Sequence, residues 1–189
     1  MRVVAGTAGG IPLMSPRTDL RPTMEVVKNA IFSSLMEVTP DARVLDLFAG
    51  SGSLGIEALS RGAASCVFVE ENKQACAAIR KNLEKTKLSG GELVNADAMK
   101  WVLKNAIPGT FHMILADPPY AKYPGERDFT PELLACEPLR AALVPGGIFV
   151  LEHLPGATLA LGDRWECFRQ KRYGATEVAF LRAMETPAP

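Results

Sequence analysis

Val44-Leu45-Asp46-Leu47-Phe48-Ala49-Gly50-Ser51-Gly52-Ser53-Leu54-Gly55 decides how the rest of the chain is read. Val44 to Phe48 is strand-like and apolar, and it runs straight into a glycine turn. A helix pattern starts at Ser53, with Leu54, Ala58 and Leu59 at helical spacing. A strand that feeds a helix through small residues is the nucleotide-binding corner of an open α/β sheet. Glycine at 50 and 52 lets the backbone turn sharply and lets a ligand approach closer than a Cβ would allow. Gly50, Gly52 and Gly55 also satisfy the bare G-x-G-x-x-G spacing of dinucleotide enzymes, so this turn alone leaves a plain βα turn and a dehydrogenase open.

Outward from the corner, strand and helix patterns alternate. Residues 43–48 read as a first strand, 53–61 as a helix and Ser65 to Glu70 as a second strand. Asn72 caps a helix through Lys87, Glu92 to Asn95 is a third strand, and 97–105 is a short helix. Phe111 to Ala116, a helix from Pro131 to Leu143, and Gly147 to Glu152 complete the alternation. The pattern predicts an α/β fold with a mostly parallel sheet covered by helices on both faces. Trp165 to Arg172 and Glu177 to Met184, around Tyr173-Gly174-Ala175, read as a hairpin that closes the sheet with an antiparallel edge.

Ahead of the corner, Arg2 to Ala5 and Ile11 to Met14 flank Gly9-Gly10 as a short hairpin. Ser15 to Pro22 is an irregular arm, and Thr23 caps an amphipathic helix over residues 24–37. The chain therefore divides into an extension (1–40), the α/β domain (41–184) and a tail (185–189).

Lysine plus arginine equals aspartate plus glutamate, 21 each, so no global field attracts a polyanion and any such partner must meet a local patch. The four cysteines stand apart, without metal spacing, and Cys66 and Cys76 read as core thiols. No apolar run has the length of a signal peptide or a membrane span, which predicts a cytoplasmic protein away from membranes. His112 and His153 lack metal-like neighbours and read as structural, as do Trp101 and Trp165.

Ligands of a doubly wound sheet bind beyond the carboxyl ends of its strands. Those ends carry Asp46 and the glycine turn, Glu70-Glu71, Asn95-Ala96-Asp97, Asp117-Pro118-Pro119-Tyr120 and Glu152-His153. Glu70, roughly twenty residues beyond the glycines, stands where an acid reads ribose hydroxyls. Asp97 suits either a helix cap or a ligand contact, and Asp46 either touches ligand or orients the turn. Asp117-Pro118-Pro119-Tyr120 tips the balance away from a dehydrogenase. Two prolines stiffen the backbone and remove two N–H donors, so a carboxylate, bare carbonyls and an aromatic ring face the ligand. That set accepts hydrogen bonds from a planar amine and stacks on a flat base. It favours the pyramidal, partly positive nitrogen formed as the amine attacks, without a metal or a covalent intermediate.

These motifs together resemble class I S-adenosylmethionine-dependent methyltransferases that modify exocyclic or amide nitrogens. More narrowly, residues 1–183 resemble the RsmD family of bacterial guanine-N2 methyltransferases of small-subunit ribosomal RNA. The matching pieces are Met1-Arg2-Val3-Val4-Ala5-Gly6, Leu20-Arg21-Pro22-Thr23, Ala30-Ile31-Phe32, Leu45 through Gly62, the Asp-Pro-Pro-Tyr run, Glu152-His153 and Arg172-Tyr173-Gly174. Family members tend to carry basic residues after the opening strand, where this chain has Thr7-Ala8-Gly9-Gly10.

The resemblance implies a Rossmann-like, seven-stranded sheet and S-adenosylmethionine as cofactor. Asp46, Phe48, Ala49, Gly50, Ser51 and Gly52 would hold its methionine part, Glu70 its ribose, and Asp97 with Ala98 its adenine. Asp117 and the Pro118 carbonyl, stiffened by Pro119, would hold a guanine amine, with Tyr120 stacked on the ring. The base must be swung out of its helix to arrive there. Arg2, Arg17, Arg21, Lys28, Lys122, Arg127 and Arg172 are the candidates for phosphate contacts. The implied partner is 16S ribosomal RNA within a partly assembled or complete small subunit, met by a monomer. Adenine-N6 methylation of DNA or RNA is the alternative, because the same tetrapeptide serves that amine.

Overall fold

The structure is a computed structural model that describes residues 1–15, 22–121, 123 and 125–184. Seven strands form one sheet: β1 (Arg43–Leu47), β2 (Ser65–Glu70), β3 (Gly91–Asn95), β4 (Phe111–Ala116), β5 (Leu143–His153), β6 (Trp165–Tyr173) and β7 (Thr176–Ala183). Their spatial order is β3-β2-β1-β4-β5-β7-β6. The first five pair in parallel, and β7 lies antiparallel between β5 and β6. The expected mostly parallel sheet with an antiparallel hairpin edge is therefore present. Order reverses between β1 and β4, so the switch-point crevice opens at the ends of these two strands.

The helices are α1 (Pro22–Ser34), α2 (Ser53–Ser60), α3 (Lys73–Thr86), α4 (Ala98–Asn105), α5 (Phe129–Ala135) and α6 (Glu137–Ala141). Each sheet face buries its own apolar cluster. Val44, Met113, Leu115, Val150, Val178 and Phe180 lie under α1, α2 and the N-terminal segment on one face. Leu45, Leu47, Ile114, Phe149 and Leu151 pack with Met99, Leu133 and Leu139 on the other. This two-sided burial explains why β1 and β4 read as near-continuous apolar runs. No helix of the described residues is long and apolar enough to cross a membrane.

Four local expectations are corrected. The predicted opening hairpin is present but shorter: one antiparallel bridge, Arg2 to Pro12, flanked by Val3 N–H to the Ile11 carbonyl and Leu13 N–H to the Met1 carbonyl (2.9 Å each), with α2 holding the residues between. The helix predicted over 24–37 ends at Ser34, where turns carry Leu35 into the core. The helix predicted over Pro131 to Leu143 is two helices broken at Cys136. Pro138 has no N–H to give the Leu134 carbonyl, and that carbonyl takes the Trp165 indole N–H at 2.8 Å instead. The fifth strand starts early, at Leu143, and Pro145-Gly146-Gly147 bulges out between its pairs to Phe111 and Met113.

The extension does not stand apart as a body of its own. Val3, Ala8, Leu13, Ile31 and Phe32 join the cluster that contains Val44 and Ile56. Glu57 of α2, with no exposed surface, accepts the backbone N–H groups of Val4 (2.7 Å) and Ala5 (3.0 Å). It also takes Arg61 at 2.7 Å and faces the Lys28 ammonium at 3.4 Å. The arm around Arg17 and Arg21, Lys122, and the tail over 185–189 lie outside the described residues.

Candidate active site

The glycine turn is braced from beneath. Asp46, 1% exposed, accepts the Gly55 N–H on Oδ2 at 2.9 Å, which satisfies a first-turn donor of α2. Burial, with the charges of Asp117 and Glu70 nearby, pushes the Asp46 carboxyl up to about 8, even against that hydrogen bond. Asp46 is thus seated beneath the turn as a brace for it.

Gly55 packs against β2. A Cβ there would meet the Phe68 ring at 2.3 Å and the Cys66 Sγ at 2.5 Å. Gly50 is the opposite case: its φ is +56°, and a Cβ would find only the Phe48 carbonyl, at 3.9 Å. Phe48 itself has φ +57°, unusual for a bulky residue, and its half-buried ring meets Phe129 edge-on at 4.9 Å. Ala49 and Ser51 are nearly buried in the turn, and Gly52 caps α2 in the left-handed region. Asn82, absent from the sequence-based set, donates to the carbonyls of Ser51 and Met14 and accepts the Met14 N–H. It ties the turn to the N-terminal segment. Its signal in the sequence was a polar residue on the apolar face of a helix.

Glu70 stands at the end of β2, 9% exposed. Its two carboxylate oxygens accept the N–H groups of Gly50 (2.8 Å) and Asn72 (2.7 Å), so it links the glycine turn to the start of α3. Its remaining lone pairs are the ones a ribose would use. Asp97 caps α4 by accepting the Lys100 N–H at 2.8 Å, with Ala98 buried behind it.

Ala116 pairs with Leu47, so the chain segments beginning at Asp117 and Phe48 leave the sheet side by side at the switch point. Asp117 and Pro119 are exposed, Pro118 is buried and Tyr120 is half-buried. The Tyr120 hydroxyl lies 2.5 Å from Thr176 Oγ1, and that hydroxyl donates to Glu152 Oε2 at 3.2 Å. Burial and the Asp117 charge raise the Tyr120 hydroxyl above its ordinary range, and the same two causes raise Glu152 well above the usual carboxylate range. A cavity of about 140 Å³ opens beside Tyr120 toward Leu154, Ala157 and Thr158 and does not include the glycine turn. Thr176 was not anticipated, because nothing local marks a threonine at the start of a strand as a partner for Tyr120.

The candidate phosphate contacts separate. Lys28 is corrected: it is 2% exposed, and its ammonium is spent on the Arg2 carbonyl at 2.5 Å and on Glu57. Helical spacing placed it near a polar face, but the N-terminal segment covers that face. Arg2 and Arg172 are exposed. Arg127 is also exposed but is clamped by Glu132 at 2.6 and 2.8 Å and lies over the Phe129 ring. Among the described residues no cluster of His, Cys, Asp and Glu has the makings of a metal site.

The residues fit an adenosyl-amino-acid cofactor on three counts: open space over Gly50, an acid at the end of β2 linked to the turn, and a helix cap at Asp97. The strand order and this corner define a Rossmann-like methyltransferase fold. Within that class the chain belongs to the family described as conserved hypothetical protein 95, the RsmD family, whose model matches residues 1–182. Among relatives, Ribosomal RNA small subunit methyltransferase D of Escherichia coli strain K12 is 36% identical over 123 residues, 65% of this chain and 61% of that protein. The same-named protein of Haemophilus influenzae is 31% identical over 178 residues, 92% of this chain and 89% of its own length. The solved structure of E. coli yhhF superimposes with a TM-score of 0.81 at 26% identity, covering 97% of this chain and 98% of that one.

Proposed function

We propose that the chain transfers a methyl group from S-adenosylmethionine to the exocyclic N2 amine of a guanine in small-subunit (16S) ribosomal RNA. The observation that carries the reading is the placement of Asp117-Pro118 beside the glycine turn, on neighbouring strands at the switch point. The cofactor, when bound, supplies an electrophilic methyl group on a sulfonium.

Asp117 is the exposed acceptor for the amine hydrogens, and the Pro118 carbonyl is the second. Acceptors fixed on stiff backbone need no reorganisation as the nitrogen becomes pyramidal. The amine lone pair forms the new N–C bond, and the C–S bonding pair departs with the sulfur. The surplus amine proton passes to the Asp117 carboxylate and on to water. Tyr120, tied at its hydroxyl, presents its ring to the base. The names of the relatives support ribosomal RNA as the substrate, and the reading extends to a monomer working on the small subunit in the cytoplasm.

The test is incubation of unmodified small subunits with labelled cofactor, followed by mapping of the methyl group. One methyl on a guanine N2 is expected, and Asp117→Ala should abolish transfer while cofactor binding persists. A methyl mapped to adenine N6 would overturn the base assignment, and loss of cofactor binding in the variant would overturn the role of Asp117.

A further inference from the structure

The edge of the sheet carries Arg172, already a candidate from the sequence, together with three cations that the sequence motifs left out: Arg169, Lys171 and Arg182. β6 holds Arg169, Lys171 and Arg172, all exposed, and β7 adds exposed Arg182. Register sorts them by face. Arg169 pairs with Phe180 and Lys171 with Val178, while Arg182 pairs with Ile148. Ile148, Val178 and Phe180 belong to the cluster under α1 and α2, so the three cations share that face. Arg172 pairs with Glu177 and points to the other.

Each of the three lies over an aromatic ring. Arg182 is 4.3 Å from the centre of the Phe168 ring, Lys171 is 5.5 Å from that of Tyr173, and Arg169 is 5.9 Å from that of Phe180. Among the described residues none of the three has an ion-pair partner. Glu166, opposite Arg182 in register, forms no ion pair with it. Lysine or arginine on an edge strand is a common guard against strand-to-strand aggregation. That role asks neither for a single face nor for rings beneath the charges. A ring restrains the cation and leaves its N–H edge free, which lowers the entropy lost when the edge meets a phosphate.

The stripe also leads somewhere. From Arg182 and Arg169 it runs through Lys171 to Tyr173, which pairs with Thr176, the residue that holds Tyr120. It ends at the carboxyl edge of the parallel strands, where Asp117 stands. The N-terminal segment offers no equal surface: over residues 1–15 its one basic side chain is Arg2, and Lys28 behind it is buried. With a net charge of zero, the chain has no diffuse field to take the place of a local patch.

We propose that the RNA strand flanking the target base lies along this face, its phosphates held by Arg169, Lys171 and Arg182. This rests on the ribosomal RNA reading above and adds to it the path of the strand. Phosphate contacts of this kind position the substrate without reading its sequence.

The test compares Arg169→Ala/Lys171→Ala/Arg182→Ala with the wild type, and with a Lys73→Ala/Arg80→Ala/Lys81→Ala control on α3. The measurements are methyl-transfer kinetics on small subunits and affinity for a single-stranded RNA across a salt series. The edge variant should raise KM about tenfold or more with kcat and cofactor affinity unchanged. It should make the slope of log affinity against log salt shallower by about 2. Arg169→Lys/Arg182→Lys, which keeps the charges, should keep the slope. An edge variant matching the wild type in KM and slope, or a control that loses as much, would overturn the proposal. Wild type that binds the RNA through the stripe yet methylates no small subunit would overturn the substrate reading and leave the surface standing. Equal RNA binding by both proteins would remove the surface whatever the substrate.

Discussion

The Tyr120 hydroxyl sits 2.5 Å from Thr176 Oγ1 across 56 residues of chain, and the threonine passes the contact on to Glu152. The Asp117–Tyr120 loop is thus pinned to the antiparallel hairpin of the sheet as well as to its own strand. Thr176→Val leaves a half-buried phenol without its partner, a loss of about 1 kcal/mol. Turnover should fall about tenfold in the steady-state assay, with cofactor affinity within about twofold of wild type. Tyr120→Phe in that background should add little further loss, since one link then removes the same constraint twice. Full activity of Thr176→Val would show that the pin plays no part in turnover.

Gly50 and Gly55 should fail in different ways. At Gly55 a methyl group collides with Phe68 and Cys66, so Gly55→Ala should lower stability by about 1–3 kcal/mol. At Gly50 the space is open but the backbone is left-handed, so Gly50→Ala costs about 1–2 kcal/mol of strain. Its added methyl would also enter the open space over Gly50 where the proposed cofactor binds. Calorimetric titration should show cofactor binding lost in Gly50→Ala beyond what its melting shift accounts for, and retained in folded Gly55→Ala.

Lys28 tests the correction to the phosphate set. Burial lowers its ammonium below the usual range, although Glu57 opposes the shift. Lys28→Met removes one partner of a buried pair, but Arg61 and two backbone N–H groups still hold Glu57. A stability loss of about 2 kcal/mol is expected by denaturant titration, at or below the usual range for a broken buried pair. The salt dependence of RNA binding should not move. A shallower slope would return Lys28 to the RNA surface.

Asp46 sets a pH dependence. Its folded value of about 8 lies above the ordinary aspartate value of 3.8, so between these limits the unfolded chain ionises while the folded one stays protonated. Its contribution is neutral at low pH, and stability is lost as pH rises toward 8, at a limit of about 1.4 kcal/mol per unit. Asp46→Asn keeps an acceptor for Gly55 without an ionisation. Melting curves from pH 5 to about 8 should fall less steeply for the variant than for the wild type. Parallel curves would show that the carboxyl titrates normally.

The glycine corner, the alternation of strands and helices, and the Asp-Pro-Pro-Tyr run could be read directly, because each is a local pattern. A turn needs its glycines and a rigid acceptor loop needs its prolines, whatever surrounds them. The break at Cys136 could not be read the same way. Pro138 was visible, but its effect depends on Trp165, which takes the carbonyl that the helix gives up.

Chain order and residue type were enough to establish the α/β fold and to place the glycine corner and the Asp117-Pro118-Pro119-Tyr120 run at the carboxyl ends of its strands. The roles of individual charges were settled by folding. Asp46 became a brace and Lys28 a buried clamp, Thr176 reached Tyr120, and Arg169, Lys171 and Arg182 came to share one face. Burial and partner choice depend on residues tens of positions away, and the free energy of a charge is set by whichever groups the fold places around it.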